Sequence, residues 1–197
     1  MPETLALDDS SAAKAGAAAK SCKLVAFPTE TGYAFGSTGL IKAATRRILQ
    51  VKERSTLKPL PVLVASTEEA KKWVEWTPAA ESLAARFWPG PLVLLLKPTQ
   101  QGRLLTFPEY PTVAIRVPGH AGARAMLAAS GVPWVYSSAN KSGKPAAANA
   151  ADAQAAIGDG VDLLLTGDAG QGEPTFVDAT DKPRITKQGV IPAGDIL

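Results

Sequence analysis

Leu24-Val25-Ala26-Phe27-Pro28-Thr29-Glu30-Thr31-Gly32-Tyr33-Ala34-Phe35-Gly36 joins a short apolar run to a polar, glycine-flanked turn. Leu24–Phe27 predicts a strand that stops at Pro28 and delivers Thr29, Glu30 and Thr31 to a sheet edge, where two hydroxyls and a carboxylate face a cleft. The same threonines would also serve simply by bonding their own turn. Both readings stand on this stretch alone, and the rest of the chain has to choose between them.

Working outward, helical and extended patterns alternate. Asp8, Asp9 and Ser10 ahead of the alanine-rich Ala12–Lys20 predict a marginal leading helix after a loose segment, residues 1–9. Ile41, Ala44, Ile48 and Val51 have the spacing of a helix with one buried face, ending in Lys52, Glu53 and Arg54. Leu60–Ala65 reads as a strand introduced by Pro59 and interrupted by Pro61, which places its start at a sheet edge. Helices are expected over Glu68–Trp76 and Pro78–Phe87, then a rigid corner at Trp88-Pro89-Gly90-Pro91 and a buried strand over Leu92–Leu96. Val113–Val117 is a strand, Gly122–Ser130 a helix, Trp134–Ser137 a strand and Ser138–Gly143 a polar turn. Ala150–Ile157 is a helix, Leu163–Thr166 a strand, and Phe176–Asp178 with Arg184–Thr186 a terminal hairpin. Interleaved strands and helices without repeats give an α/β fold, and several connections too short for helical crossovers make the sheet mixed.

Bulk properties narrow the function. A chain of 197 residues with 46% hydrophobic and 20% charged residues suits one globular domain with a proper core. The net charge of +3 permits a local phosphate pocket without announcing a nucleic-acid binder. One cysteine, Cys22, and one histidine, His120, exclude an internal disulfide and any Cys- or His-rich metal cluster. No run is long and apolar enough to span a membrane, and the first residues lack a signal peptide's pattern, so a cytoplasmic protein is expected.

Three further stretches carry chemistry. Lys52 and Arg54 at a helix end, with Lys58 just beyond, read either as a solvated helix terminus or as a phosphate clamp. Arg116, between Ile115 and Val117 on an apolar strand, needs an anionic partner: a substrate carboxylate or phosphate, or an internal Glu or Asp. Ser137-Ser138-Ala139-Asn140-Lys141-Ser142-Gly143 follows a strand and has the small side chains and exposed amides that wrap phosphates. Neither a Walker loop nor a GxGxxG after a strand is present.

Taken in order, Pro28-Thr29-Glu30-Thr31 with Tyr33 and Gly36, Lys52-x-Arg54 with Pro59-Leu60, Trp88-Pro89-Gly90-Pro91, Val113-Ala114-Ile115-Arg116 with Pro118 and His120, and Ser137-Ser138-Ala139-Asn140 with Ser142-Gly143 and Pro145 resemble the YrdC-type threonylcarbamoyl-adenylate synthases, over about Leu24–Gly189. The resemblance implies a single YrdC-like domain over residues 10–197, with a twisted mixed sheet and flanking helices around a positively charged cleft. It implies a nucleotidyltransferase that joins L-threonine, bicarbonate and ATP, with Mg²⁺, into threonylcarbamoyl-adenylate and pyrophosphate. The product would feed a separate transferase complex that modifies adenosine 37 of tRNA, and weak tRNA or RNA contact is implied as well. By position, Thr31 and Arg116 would hold threonine, with Arg116 on its carboxylate. Arg54, Lys58, Thr112, Ser138, Asn140 and Lys187 would line the ATP side, and Lys52 and Arg54 would neutralise charge in catalysis.

The departures are specific. Leu63 stands where many relatives have His, which implies a lost threonine contact. Pro174-Thr175 replaces Ser-Thr, Lys187 replaces Arg, and GYAFG replaces the commoner VYGLG. These resemble the YciO-like paralogues, whereas the intact Ser-Ser-Ala-Asn turn resembles the synthases. Two further alternatives are a carbamoyl-transfer module of the hydrogenase-maturation type and an RNA-binding protein without catalysis.

Overall fold

The structure, a computed structural model, describes residues 1–53 and 59–196. In chain order its elements are β1 (Glu3–Ala6), α1 (Asp9–Lys20), β2 (Val25–Thr29), β3 (Gly32–Thr38), α2 (Lys42–Val51), β4 (Val62–Leu63), α3 (Thr67–Trp73), α4 (Pro78–Phe87), β5 (Leu92–Leu96), β6 (Val113–Arg116), α5 (Ala121–Ser130), β7 (Trp134–Ser138), α6 (Ala150–Ile157), β8 (Leu163–Thr166), β9 (Thr175–Asp178), β10 (Arg184–Lys187) and α7 (Ala193–Ile196). The strands form one mixed sheet in the order β1-β8-β2-β3-β7-β4-β6-β5-β9-β10.

Side chains alternate between two apolar layers, as strands covered on both faces require. Ala26, Tyr33, Phe35, Val62, Val135 and Leu164 point to one face, where Ile48 and Leu49 of α2, Trp73 of α3, Leu83 of α4 and Ile157 of α6 cover them. Val25, Phe27, Ala34, Leu63, Trp134 and Leu165 point to the other, beneath Ala12, Ala15 and Ala19 of α1 and Met126 and Leu127 of α5. The alanines of α1 are what allow so close an approach: a Cβ on Gly16 would lie 2.8 Å from the Ser130 nitrogen. Asp8 caps α1, accepting from the Ser11 N–H, while Ser11 Oγ accepts from the Asp8 N–H in return.

Several expectations need correction. The segment expected to be loose, residues 1–9, contains β1, which pairs in parallel with β8, and the Asp8 cap of α1. Leu5 packs against the second apolar layer and supplies the burial that holds this edge strand. Pro28 does not end β2, because it faces Tyr33 in the β2–β3 ladder. Tyr33 spends its own N–H on Ala147 O, so Pro28 occupies a non-hydrogen-bonded position. The nitrogen of Pro28 faces the side where β8 has already stopped pairing, at Ala26. Most of the expected turn over Pro28–Gly36 is strand, since β3 begins at Gly32, and the Thr29–Thr31 tip ends a hairpin in the sheet's interior instead of lying on an edge strand. Nor is β4 an edge strand: it sits between β7 and β6, since Pro61 contributes only its carbonyl, to Tyr136 N, before pairing begins at Val62.

The tight α1–α5 contact gives a sign-reversed test. In an isolated helix Gly→Ala stabilises by about 1 kcal/mol, but at Gly16 the added Cβ meets the Ser130 backbone. Gly16→Ala is therefore expected to destabilise by about 1–3 kcal/mol in urea denaturation, and a stabilised variant would show that α1 does not dock this way.

Candidate functional site

The site begins with one long-range bond. β2 and β6 are separated by three strands in the sheet order, so four inter-strand spacings, roughly 19 Å, would part them in a flat sheet. Arg116 Nη2 nevertheless donates to Glu30 Oε1 at 2.7 Å. The sheet curls enough to bring the tip of the β2–β3 hairpin onto β6, and a cavity of about 330 Å³ lies within the curl.

Arg116 is 1% exposed and is held at all three of its guanidinium nitrogens. Nη2 also donates to Thr31 Oγ1 at 3.1 Å, Nη1 to the Tyr136 hydroxyl at 3.3 Å, and Nε to Gly90 O at 3.1 Å. The Trp88–Pro91 corner puts that carbonyl in place, and Gly90 is required there because a Cβ would lie 2.4 Å from Phe87 O. Glu30 in turn accepts from the Gly119 N–H at 2.6 Å and the His120 N–H at 3.2 Å. Burial alone would raise the Glu30 pKa, but the Arg116 charge and these donors outweigh it and hold the carboxyl below its ordinary value. Burial likewise opposes the charge on Arg116, and Tyr136 and Glu30 restore it. An internal glutamate is thus one answer to what Arg116 pairs with.

Thr29 takes the local reading: its hydroxyl donates to Gly32 O at 2.7 Å and closes its own turn. Thr31, bonded to Arg116, lines the cavity with Arg116 and Tyr136.

Lys52 is no solvated helix end. It is buried at the C-terminus of α2, where its ammonium donates to Ser138 O at 2.7 Å, Ser138 Oγ at 2.9 Å and Asn140 Oδ1. The Asn140 amide nitrogen donates to Lys141 O and Lys144 O, which shapes the turn, and Ser142 N donates back to Lys52 O. The 138–144 turn and the end of α2 are therefore one unit, and it presents Lys52 and Ser138 to the cavity. On another wall, the segment before β9 brings Glu173 and Pro174, β9 brings Phe176 and the end of β10 brings Lys187.

Of the expected site residues, the structure brings Thr31, Arg116, Lys52, Ser138 and Lys187 to one cavity, with Asn140 directly behind Lys52. Thr112 stands apart from this group, at the opposite end of β6 from Arg116. Arg54 and Lys58 lie outside the described residues. Leu63 is wholly buried in the second apolar layer and is absent from the cavity wall, whereas Pro174 lines it. Tyr136 and Glu173 were missed, and Glu30, expected to face the cleft, is instead the partner of Arg116. A tyrosine immediately before the Ser137-Ser138 turn carries a faint signal, and Glu173 carries none. Among the described residues no three of His, Cys, Asp and Glu group as a metal site, and no helix is long and apolar enough to cross a membrane.

The buried ion pair sets an acid limit. With its folded pKa depressed below 4.5, Glu30 contributes stability that is complete above that value and is lost as pH falls through the folded pKa. Glu30→Gln should flatten this acid loss and, by leaving a buried charge with one counter-charge fewer, lower neutral-pH stability by about 3–5 kcal/mol. Denaturant titrations across pH check both; unchanged acid sensitivity in the variant would contradict the assignment.

A family model described as "Telomere recombination", that of Sua5/YciO/YrdC, matches residues 17–189. A threonylcarbamoyl-AMP synthase of Pyrococcus abyssi is 35% identical over 178 residues, 88% of this chain but 52% of the relative, so the chain spans about half of that protein. The synthase of Chromohalobacter salexigens is 34% identical over 166 residues, 84% of this chain and 90% of the relative. Among solved structures, P. abyssi Sua5 complexed with L-threonine has a TM-score of 0.89 at 31% identity, covering 100% of this chain and 59% of that one. Escherichia coli YciO has a TM-score of 0.90 at 23% identity, covering 100% of both chains, which shows the shared fold. With the motifs, the fold and the cavity in agreement, the chain belongs to the Sua5/YciO/YrdC family.

Proposed function

We propose that this protein is an L-threonylcarbamoyladenylate synthase, a nucleotidyltransferase that makes threonylcarbamoyl-AMP and pyrophosphate from L-threonine, bicarbonate and ATP. The observation that carries this reading is the pairing of two walls on one cavity: Thr31 and Arg116 on one, Lys52 and Ser138 on the other. The first suits an amino acid, whose carboxylate meets the guanidinium and whose hydroxyl meets Thr31. The second suits the nucleotide, whose phosphates meet an ammonium and a hydroxyl at a strand-to-turn junction.

The chemistry asks little covalent work of the protein. The threonine amine takes up bicarbonate as a carbamate with loss of water. A carbamate oxygen then attacks the α-phosphorus in line, the bond to the β-phosphate oxygen breaks, and pyrophosphate leaves. The residues contribute by holding the two substrates together and by offsetting negative charge in a partly enclosed site. Lys52 is pre-placed for this, since Ser138 and Asn140 fix its ammonium before substrate arrives. Magnesium fits here as an ion carried by the nucleotide phosphates, the usual mode where a protein offers few carboxylates, and Glu173 is the one carboxylate lining the cavity among the described residues. The product would pass to a transferase acting on adenosine 37 of tRNA in the cytoplasm.

Pyrophosphate release from ATP by the purified protein, with mass analysis of the adenylate, tests the reading. Release that requires both threonine and bicarbonate is expected, and release indifferent to threonine would refute it. Lys52→Met should lower kcat by about 10²-fold or more, whereas Thr31→Val should mainly raise the KM for threonine.

A further inference from the structure

The cations on the cavity wall differ in how firmly they are held. Arg116 is 1% exposed, and its partner Glu30 is itself held by two backbone N–H groups. Lys52 is 7% exposed and bonded to Ser138 and Asn140. Those two are part of the fold. Lys187 is different: it pairs with Glu173 at 2.8 Å, with side chains 50% and 62% exposed. Such solvated pairs are weak and readily exchanged.

The backbone around the pair, in contrast, is fixed. The register of β10 shifts between Ile185 and Lys187, so Lys187 comes opposite Phe176, an irregularity of the kind that re-aims a side chain. Its ammonium lies 5.8 Å from the Phe176 ring centroid. Glu173 O accepts from Val190 N at 3.0 Å, and Thr175 Oγ1 accepts from Gly189 N at 3.0 Å. Gly189 is packed so closely that a Cβ would lie 2.3 Å from Glu173 O. Two backbone segments are therefore pinned together while the charges between them stay free to change partner, and both line the cavity.

We propose that Glu173 is a counter-ion latch for Lys187. It holds the ammonium at the rim while the cavity lacks an anion, yields it to the phosphates of an entering nucleotide, and recaptures it as pyrophosphate departs. This rests on the nucleotide reading above. Once displaced, Glu173 already has most of its surface in water, so leaving it unpaired costs little. Glu173 is thus a positioning residue acting through Lys187, and it sets the balance between binding the anion and letting it go.

Titration calorimetry of ATP and of inorganic pyrophosphate into the wild-type protein, Glu173→Gln, Lys187→Met and the double variant tests the latch. Glu173→Gln is expected to bind both anions about two- to fivefold more tightly at low salt, with the gain fading at high salt. Lys187→Met should bind more weakly, and Glu173→Gln should add nothing on that background. Unchanged or weaker binding by Glu173→Gln would overturn the latch, and so would a gain that persists without Lys187, which would mean plain repulsion by the carboxylate. Failure of the wild-type protein to bind either anion would instead overturn the nucleotide reading itself.

Discussion

A guanidinium buried to the extent of Arg116 must find its counter-charge inside the protein, and most of this site follows from where it finds it. The partner, Glu30, is on the far side of three strands, so the bond exists only if the sheet curls. Two-residue β4 is the shortest of the strands between them, and the Trp88–Pro91 corner supplies the carbonyl that fixes the Nε edge. The loop ahead of α5 contributes the Gly119 and His120 N–H groups that hold the Glu30 carboxylate, which the Arg116 charge keeps below its ordinary pKa. Three regions distant in sequence, the β2–β3 tip, the Trp88–Pro91 corner and residues 116–120, thereby converge on one ion pair, and the cavity lies beside it.

The second wall is built by a different economy of bonds. The α2 terminus and the 138–144 turn exchange hydrogen bonds in both directions, through Lys52, Asn140 and Ser142. The cation at the helix C-terminus is thus directed inward and buried instead of being left to water. A guanidinium on one wall and an ammonium on the other suit the proposed adenylation, which needs an amino acid and a nucleotide side by side and no covalent nucleophile.

Much of this was legible in the sequence, and the exceptions have physical reasons. Long periodic segments such as Pro78–Phe87 and Leu92–Leu96 were read correctly because burial pattern and length agree. β3 was read as a turn because Gly32 and Gly36 mimic one; Gly36 is there for a neighbour instead, since a Cβ would lie 2.6 Å from Val135 O. The loose N-terminus proved to be a sheet edge because its pairing partner, β8, comes some 160 residues later, beyond the reach of local patterns. Arg116 was recognised as needing an anion, but which one depended on sheet curvature, which no local pattern encodes. Leu63, expected to cost a threonine contact, packs in the apolar layer with Trp134 and offers the cavity no side chain. Glu173 had no signal at all, since an exposed glutamate beside a proline resembles any loop.

The most direct test of the account is a crystal structure of the protein soaked with L-threonine. The threonine carboxylate is expected against the Arg116 guanidinium and its hydroxyl beside Thr31, with the Glu30 bond retained. Threonine bound away from Arg116, or bound only after Glu30 has been expelled from it, would contradict the account.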